Sequence, residues 1–284
     1  MTEGEKSSTE TLHEDIRELI YNNSDSIGMR YSTVDVEGST LLVDLNDPGI
    51  SRDIWIHGTR EPITTRAYQN QLEDVSNEVE NVNVVDIGSN IGYYAFQPIA
   101  KLEDDVNVIA IEPDRANFAL LKSSVLLNGY EQQVLPILGA VGDSEEERPM
   151  YVSNHSNLHS FKETHKNREK TVDTKNMVVH PLEDYLDESG FDATDINVVR
   201  MDVEGYEYEV LRGAKDIFNL DQPFLIQLEI HPGFLEEEQT RFIIDFLKEN
   251  GFEIVSSAQK DEPLHLDSLD QIADHYFSEL VLRR

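Results

Sequence analysis

The chain has 284 residues, 39% of them hydrophobic, which suits one large globular domain and excludes a disordered chain. Asp and Glu number 56 against 23 Lys and Arg, a formal charge of −33 spread along the whole length, so no basic stripe exists to meet phosphates and nucleic-acid binding is not expected. No cysteine is available for disulfides, zinc thiolates or nucleophilic catalysis, and no apolar run approaches bilayer length.

In chain order, the polar, acidic start "MTEGEKSSTE" reads as a flexible tail (1–11) rather than a signal peptide, which predicts a cytoplasmic protein. "LHEDIRELIYN" has Leu12, Ile16, Leu19 and Ile20 at helical spacing. "YSTVDVEGSTLLVDL" reads as two strands around Glu37-Gly38, so residues 12–60 form a helix and hairpin extension. Pro62 suits the first turn of a helix through "REPITTRAYQNQLEDV". The main domain, 61–284, then alternates buried strands with helices. Strand "VNVVDI" leads to a helix from about Ile91. Strand "VNVIAIE" leads to a helix from Asp114 that stops at Asn128-Gly129. "VLPILGAV" is a third strand, followed by an irregular polar stretch, "MVVHP" and the short helix "LEDYLDES". Strands "INVVRM" and "FLIQLEI" bracket the helix "YEYEVLRGAKDIF". The helix "EEEQTRFIIDFLKENG" precedes two closing strands, "FEIVSS" and "FSELVLRR", expected to form an antiparallel edge. The fold class is α/β, a doubly wound, mostly parallel, seven-stranded Rossmann-like sheet.

Ligands of open α/β sheets sit beyond the carboxyl ends of the strands. Here those ends carry Asp86-Ile87-Gly88-Ser89-Asn90-Ile91-Gly92, Glu112-Pro113, Gly139-Ala140-Val141-Gly142-Asp143, Asp202-Val203-Glu204-Gly205 and Glu229-Ile230-His231-Pro232. The set is rich in carboxylates, and no lysine or arginine is expected to point inward. A pyrophosphate would be repelled, and the dinucleotide fingerprint is absent because the spacing is G-x-N-x-G. Glu112 ends the second strand, where an acid accepts both hydrogens of a ribose diol. A nucleoside with a ribose, no phosphate and a positive charge fits, and S-adenosyl-L-methionine is such a molecule. Asp86 and its neighbours are placed to face the amino-acid end, and backbone at Ala140 and Val141 to flank the adenine.

"VVDIGSNIGYYAF", "AIEPDRANFALLKSSVLLN", "GAVGD", "VVRMDVEGYEYEVLRGA" and "LIQLEIHP" together resemble the FkbM methyltransferases, over residues 50 to 257. Glu61-Pro62 is similar to an acidic-proline pair of that family, and "DVEGYE" is its most specific segment. The resemblance implies a class I, S-adenosylmethionine-dependent O-methyltransferase acting on sugars or natural products. It implies cofactor contacts from Asp86, Gly88, Asn90, Gly92 and Glu112, with Asp202 and Glu204 at the active-site mouth. The full candidate cofactor set is Glu61, Asp86, Gly88, Ser89, Asn90, Gly92, Glu112, Pro113, Ala140, Val141 and Asp202.

A sugar hydroxyl is a poor nucleophile, so a general base is expected. His231 is the first candidate, because an unperturbed imidazole titrates at about 6.5, with Glu229 to orient it. Asp202 and Glu204 are the alternatives, as base or as hydrogen-bonding groups for acceptor hydroxyls. Residues 151–176 read as a polar lid. Its His155, His159 and His165 have ligand-like spacing only on a helix, and "HSNLHS" is a poor one, so no metal site is expected. Lys162, Lys166, Arg168 and Lys170 in that segment suit an anionic acceptor such as a uronic acid. The acceptor class expected is a sugar, a surface glycan or a lipid-linked glycan. A NAD- or nucleotide-sugar-linked oxidoreductase on a similar sheet and a non-catalytic cofactor-binding module are the alternatives. The evenly spread acidity matches a protein adapted to concentrated salt, where self-repulsion is screened.

Overall fold

A computed structural model of the chain describes residues 8–102, 106–163, 170–218 and 222–284. Helices α1 (Ser8–Asn22) and α2 (Ser24–Ile27) lead into the hairpin β1 (Tyr31–Val36) and β2 (Ser39–Asp44). Its register runs from Tyr31 opposite Asp44 to Val36 opposite Ser39, and both turn residues, Glu37 and Gly38, take positive φ. Helix α3 (Ile50–His57) was not legible in the sequence, whereas α4 (Pro62–Ser76) starts at Pro62 as expected. Val34, Val36, Leu41 and Val43 of the hairpin pack into the same apolar core as Val82 and Val84, so the extension shares the main body's interior.

The main sheet is assembled from β3 (Val82–Ile87), β4 (Val106–Glu112) and β5 (Val134–Leu138), with α5 (Tyr93–Leu102) and α6 (Arg115–Asn128) as crossovers. Asp114 caps α6 by accepting from the Ala116 and Asn117 N–H groups, and Gly129 ends it in the left-handed region. Gly139 then diverts the chain, and the rest of the third predicted strand becomes β6 (Ala140–Val141) in a separate sheet. The stretch read as irregular is a β-hairpin, β7 (Glu146–Ser153) and β8 (Thr171–His180), which completes that three-stranded sheet in the order β6-β8-β7. Helix α7 (Leu182–Ser189) returns the chain to β9 (Val198–Met201). Helices α8 (Glu207–Gly213) and α9 (Lys215–Phe218) form a broken crossover to β10 (Leu225–Ile230). Helix α10 (Glu237–Glu249), β11 (Glu253–Gln259), the two-residue β12 (Glu262–Pro263) and β13 (Ser278–Arg283) close the fold.

The sheet order is β12-β11-β13-β10-β9-β3-β4-β5. It has eight strands rather than the expected seven, the addition being β12 at the margin. From β10 to β5 every pair is parallel. β13 runs antiparallel to both β10 and β11, two places in from the margin. Alternate residues of each central strand feed opposite cores: Val85 and Ile87 pack with α7–α10, while Val82 and Val84 pack with α4–α6. Burial on both faces explains why these strands read as nearly continuous apolar runs. Among the described residues, no helix is long and apolar enough to cross a membrane.

Candidate active site

The turn after β3 is held from both sides. The Gly88 and Ser89 N–H groups donate to the Ile111 carbonyl (3.0 and 3.1 Å), and Asn90 N donates to Glu112 Oε2 (2.8 Å). Gly88 sits at φ +81°, and a Cβ there would lie 2.0 Å from the Asp202 carbonyl oxygen, so only glycine allows β3 and β9 to end so close together. Asn90 reaches φ +51°, and its Nδ2 donates to the Ser156 carbonyl of the hairpin (2.9 Å).

Gly88, Asn90, Glu112, Pro113, Ala140, Val141 and Asp202 line one cavity at the strand ends, together with Ile111, Met150, Phe161 and Glu204. Glu112 is almost fully buried and also accepts from Asp114 N (2.9 Å) and Asn117 Nδ2 (3.3 Å). Burial pushes its carboxyl up to about 8. The Tyr185 hydroxyl bridges the N–H and carbonyl of Ala140 (both 3.1 Å), so both backbone groups of Ala140 are engaged within the fold.

Four expected cofactor residues are not among those lining the cavity. Asp86 is fully buried in β3, level with Arg200 of β9, which is level in turn with Gln227 of β10. Arg200 donates to Asp86 Oδ1 (3.4 Å), the Gly88 carbonyl (2.8 Å), Asp202 Oδ2 (3.1 Å) and Gln227 Oε1 (3.0 Å), and packs over the Tyr94 ring. This inward cation corrects the expectation that no lysine or arginine points to the strand ends. Parallel pairing brings Arg200 inward, and a buried Asp86 needs it. Ser89 turns back to donate to the Asp86 carbonyl (2.8 Å). A Cβ at Gly92 would lie 2.7 Å from Leu121, so this glycine serves packing against α6. Glu61 stands across the sheet ends, paired with Arg60 Nε (2.7 Å) and accepting from the Tyr94 hydroxyl (2.7 Å).

The cavity opens onto a carboxylate cluster. Asp202 and Glu204 are in its wall, and Glu229, Glu61 and Glu279 stand near them. Burial and then the neighbouring Glu229 raise the Asp202 carboxyl. Glu279, directly opposite Glu229 across β10–β13, is pushed up to about 8, chiefly by burial, and accepts from Thr64 Oγ1 (2.7 Å). His231 is completely buried and does not line the cavity. Its Nδ1 lies 2.7 Å from Glu207 Oε1, and its Nε2 lies 3.2 Å from Glu229 and 3.6 Å from Glu204. Burial alone would lower its pKa. The carboxylates of Glu204, Glu207 and Glu229 outweigh burial and raise it well above the ordinary histidine value. The imidazole expected near its unperturbed value therefore lies in surroundings that favour its protonated form.

Met150 of the hairpin and Ser156, Ser160 and Phe161 of its loop form part of the cavity wall, and the loop is tied to other segments. Asp47 accepts from Ser156 N (2.9 Å) and Oγ (2.6 Å), and Ser160 Oγ donates to the Glu204 carbonyl (2.7 Å). His159 Nδ1 accepts from Ser153 N (3.0 Å), and Lys162 Nζ meets Gln239 and Glu209 (3.2 and 3.6 Å). His165, Lys166 and Arg168 lie outside the described residues. Sequence reasoning missed Arg60, Arg200, Glu207, Tyr185 and the Asp47 latch. The signal for Arg200 was present: a charged residue in the middle of the apolar strand "VVRM" must find a partner.

A model of the FkbM methyltransferase domain matches residues 86–254, from the buried aspartate of β3 into β11. The chain belongs to that family. The cofactor of the FkbM domain is S-adenosylmethionine, and the residues present fit it. A buried carboxylate, Glu112, stands in the wall for a diol, and apolar Ile111, Val141 and Phe161 offer surface to a base.

Solved structures similar to the chain include the FkbM methyltransferase of Methylobacillus flagellatus, at 14% identity and TM-score 0.46, covering 82% of this chain and 52% of that one. TYW2 of M. jannaschii, solved with AdoMet, is similar at 15% identity and TM-score 0.42, covering 89% and 84%. The M. jannaschii tRNA m1G37 methyltransferase is similar at 14% identity and TM-score 0.45, covering 98% and 66%. The chain thus spans about half the length of the M. flagellatus protein. No curated protein matches it.

Proposed function

We propose that this domain transfers the methyl group of S-adenosylmethionine to a hydroxyl of a neutral sugar, free or within a glycan or lipid-linked glycan. The observation that carries the reading is one cavity lined both by the turn after β3 and Glu112 and by the carboxylates of Asp202 and Glu204. Bound S-adenosylmethionine supplies an electrophilic methyl carbon. The protein's part is to hold an acceptor hydroxyl in line with that carbon and to take its proton.

Glu204 is the proton acceptor in this reading, because it borders the cavity while His231 is sealed behind it. Its backbone is held in the left-handed region (φ +48°), a strained conformation of the kind found at functional sites. Asp202 accepts hydrogen bonds from adjacent acceptor hydroxyls, and His231 positions Glu204 and Glu229, whose oxygens lie 3.6 and 3.2 Å from its Nε2. Glu112 holds the ribose, Asn90 joins the cofactor turn to the lid, and Asp86, Ser89 and Gly92 support that turn from within.

Carboxylates at the mouth favour uncharged hydroxyl-bearing acceptors and disfavour phosphates. They also argue against the uronic acid inferred from the lid lysines, since Lys162 already meets Glu209. Family membership removes the support for an oxidoreductase. The test is turnover with a panel of neutral and acidic sugars, read as S-adenosylhomocysteine release. Glu204→Gln should lower kcat by roughly 100-fold or more while cofactor affinity is unchanged. Preference for uronic acids would contradict the charge argument, and cofactor binding with no turnover on any acceptor would favour a binding module.

A further inference from the structure

The carboxylate cluster holds one arrangement that methyl transfer does not require. One oxygen each of Asp202 and Glu229 and one nitrogen of His231 lie within 4.8 Å of one another. The His231 ring is fixed on every side. Nδ1 is 2.7 Å from Glu207 Oε1, the Phe234 ring stacks parallel to the imidazole at 5.2 Å, and Phe277 lies on it at 6.0 Å. Glu207 Oε1 is itself held by the Gly205 N–H (3.0 Å). A carboxylate bound to one nitrogen of a buried histidine directs the other nitrogen outward, the arrangement that orients histidine ligands of metals. That other nitrogen, Nε2, makes no hydrogen bond although the side chain is fully buried, and it faces carboxylate oxygens. Asp202 Oδ1 likewise makes none.

The charge balance points the same way. With the proton on His231 Nε2 displaced by a bound ion, Arg60 and Arg200 are outnumbered by Glu61, Asp202, Glu204, Glu207 and Glu229, and both are already committed, Arg60 to Glu61 and Arg200 to Asp86 and Asp202. We propose that Asp202, Glu229 and His231 Nε2 bind one divalent cation. Two carboxylates with one imidazole favour a hard to borderline ion of the Mn²⁺ type over the thiophilic metals. Three protein ligands on one side leave positions for water or for two hydroxyl oxygens of a sugar. Resting on the methyl-transfer reading, the cation's role is to hold the acceptor hydroxyl beside Glu204. The site itself does not depend on that reading.

The test is Mn²⁺ titration of the full chain, followed by loss of the free-ion electron paramagnetic resonance signal. Concentrated KCl is included to suppress loose binding to the acidic surface. The wild type should take up one Mn²⁺ per chain. Asp202→Asn and Glu229→Gln should each weaken uptake by at least about tenfold, and Glu207→Gln, outside the ligand set, by about 10- to 100-fold. No uptake by the folded wild type overturns the proposal, as does uptake that both ligand variants leave unchanged. The wild-type arm decides even if a variant fails to fold. S-adenosylmethionine binding, titrated without metal, tests the cofactor side of the methyl-transfer reading, so the two fail separately.

Discussion

Glu112 shows how one residue joins stability to ligand binding. Burial pushes its carboxyl up to about 8 in the folded chain, from an ordinary value of about 4.5. Between those values the folded protein keeps a proton that the unfolded chain has lost, so this group makes stability fall as pH rises through that window. Glu279, also raised to about 8, adds a slope of the same sign. Thermal melts of Glu112→Gln from pH 5 to 8 should therefore show a shallower decline than the wild type, and an unchanged slope would contradict the assignment.

Arg200 makes the second residue-scale case. Replacing it with methionine strands Asp86 in the interior and should cost about 3–5 kcal/mol by denaturant unfolding. A loss under about 1 kcal/mol would mean that Asp86 is neutral in the native state. Glu112 was legible as an acid ending a strand. Arg200 and Asp86 were legible one at a time, but their meeting depends on register between strands distant in sequence. His231 was found for its position, but not its neighbours, because Glu204 and Glu207 close on it from the loop before α8 and from α8 itself.

Elements were legible where burial imposes a period. β3, β4 and β10 read as apolar runs because helices cover both faces, and α6 was bounded by its Asp114 cap and Gly129 stop. α3 was missed because eight residues between Gly49 and Gly58 give too few turns for a pattern. The β7–β8 hairpin was missed because most of β8 is exposed, so "TVDTKN" carries no apolar alternation. Its position is instead written in side-chain bonds to distant segments. Asp47→Ala, which unlatches Ser156, should speed S-adenosylmethionine release about tenfold with little change in melting temperature. Stopped-flow displacement measures this, and an unaltered off-rate would show that the hairpin does not gate the cavity.

At the scale of the whole molecule, a charge of −33 on 284 residues sets how the protein responds to salt. Screening should stabilise the fold, so the melting temperature should climb steadily from about 0.2 to about 2 M KCl, and a flat response would contradict adaptation to salt. The same charge bears on the proposed acceptor, because an anionic body with an acidic mouth repels phosphates. All of this depends on the cavity at the ends of β3 and β4 being the cofactor site. Calorimetric titration with S-adenosylmethionine in concentrated KCl, wild type beside Glu112→Ala, tests that most directly. Saturable one-to-one binding that weakens at least tenfold in the variant is the result expected. A folded wild type that binds nothing, or a variant that binds equally well, would contradict it.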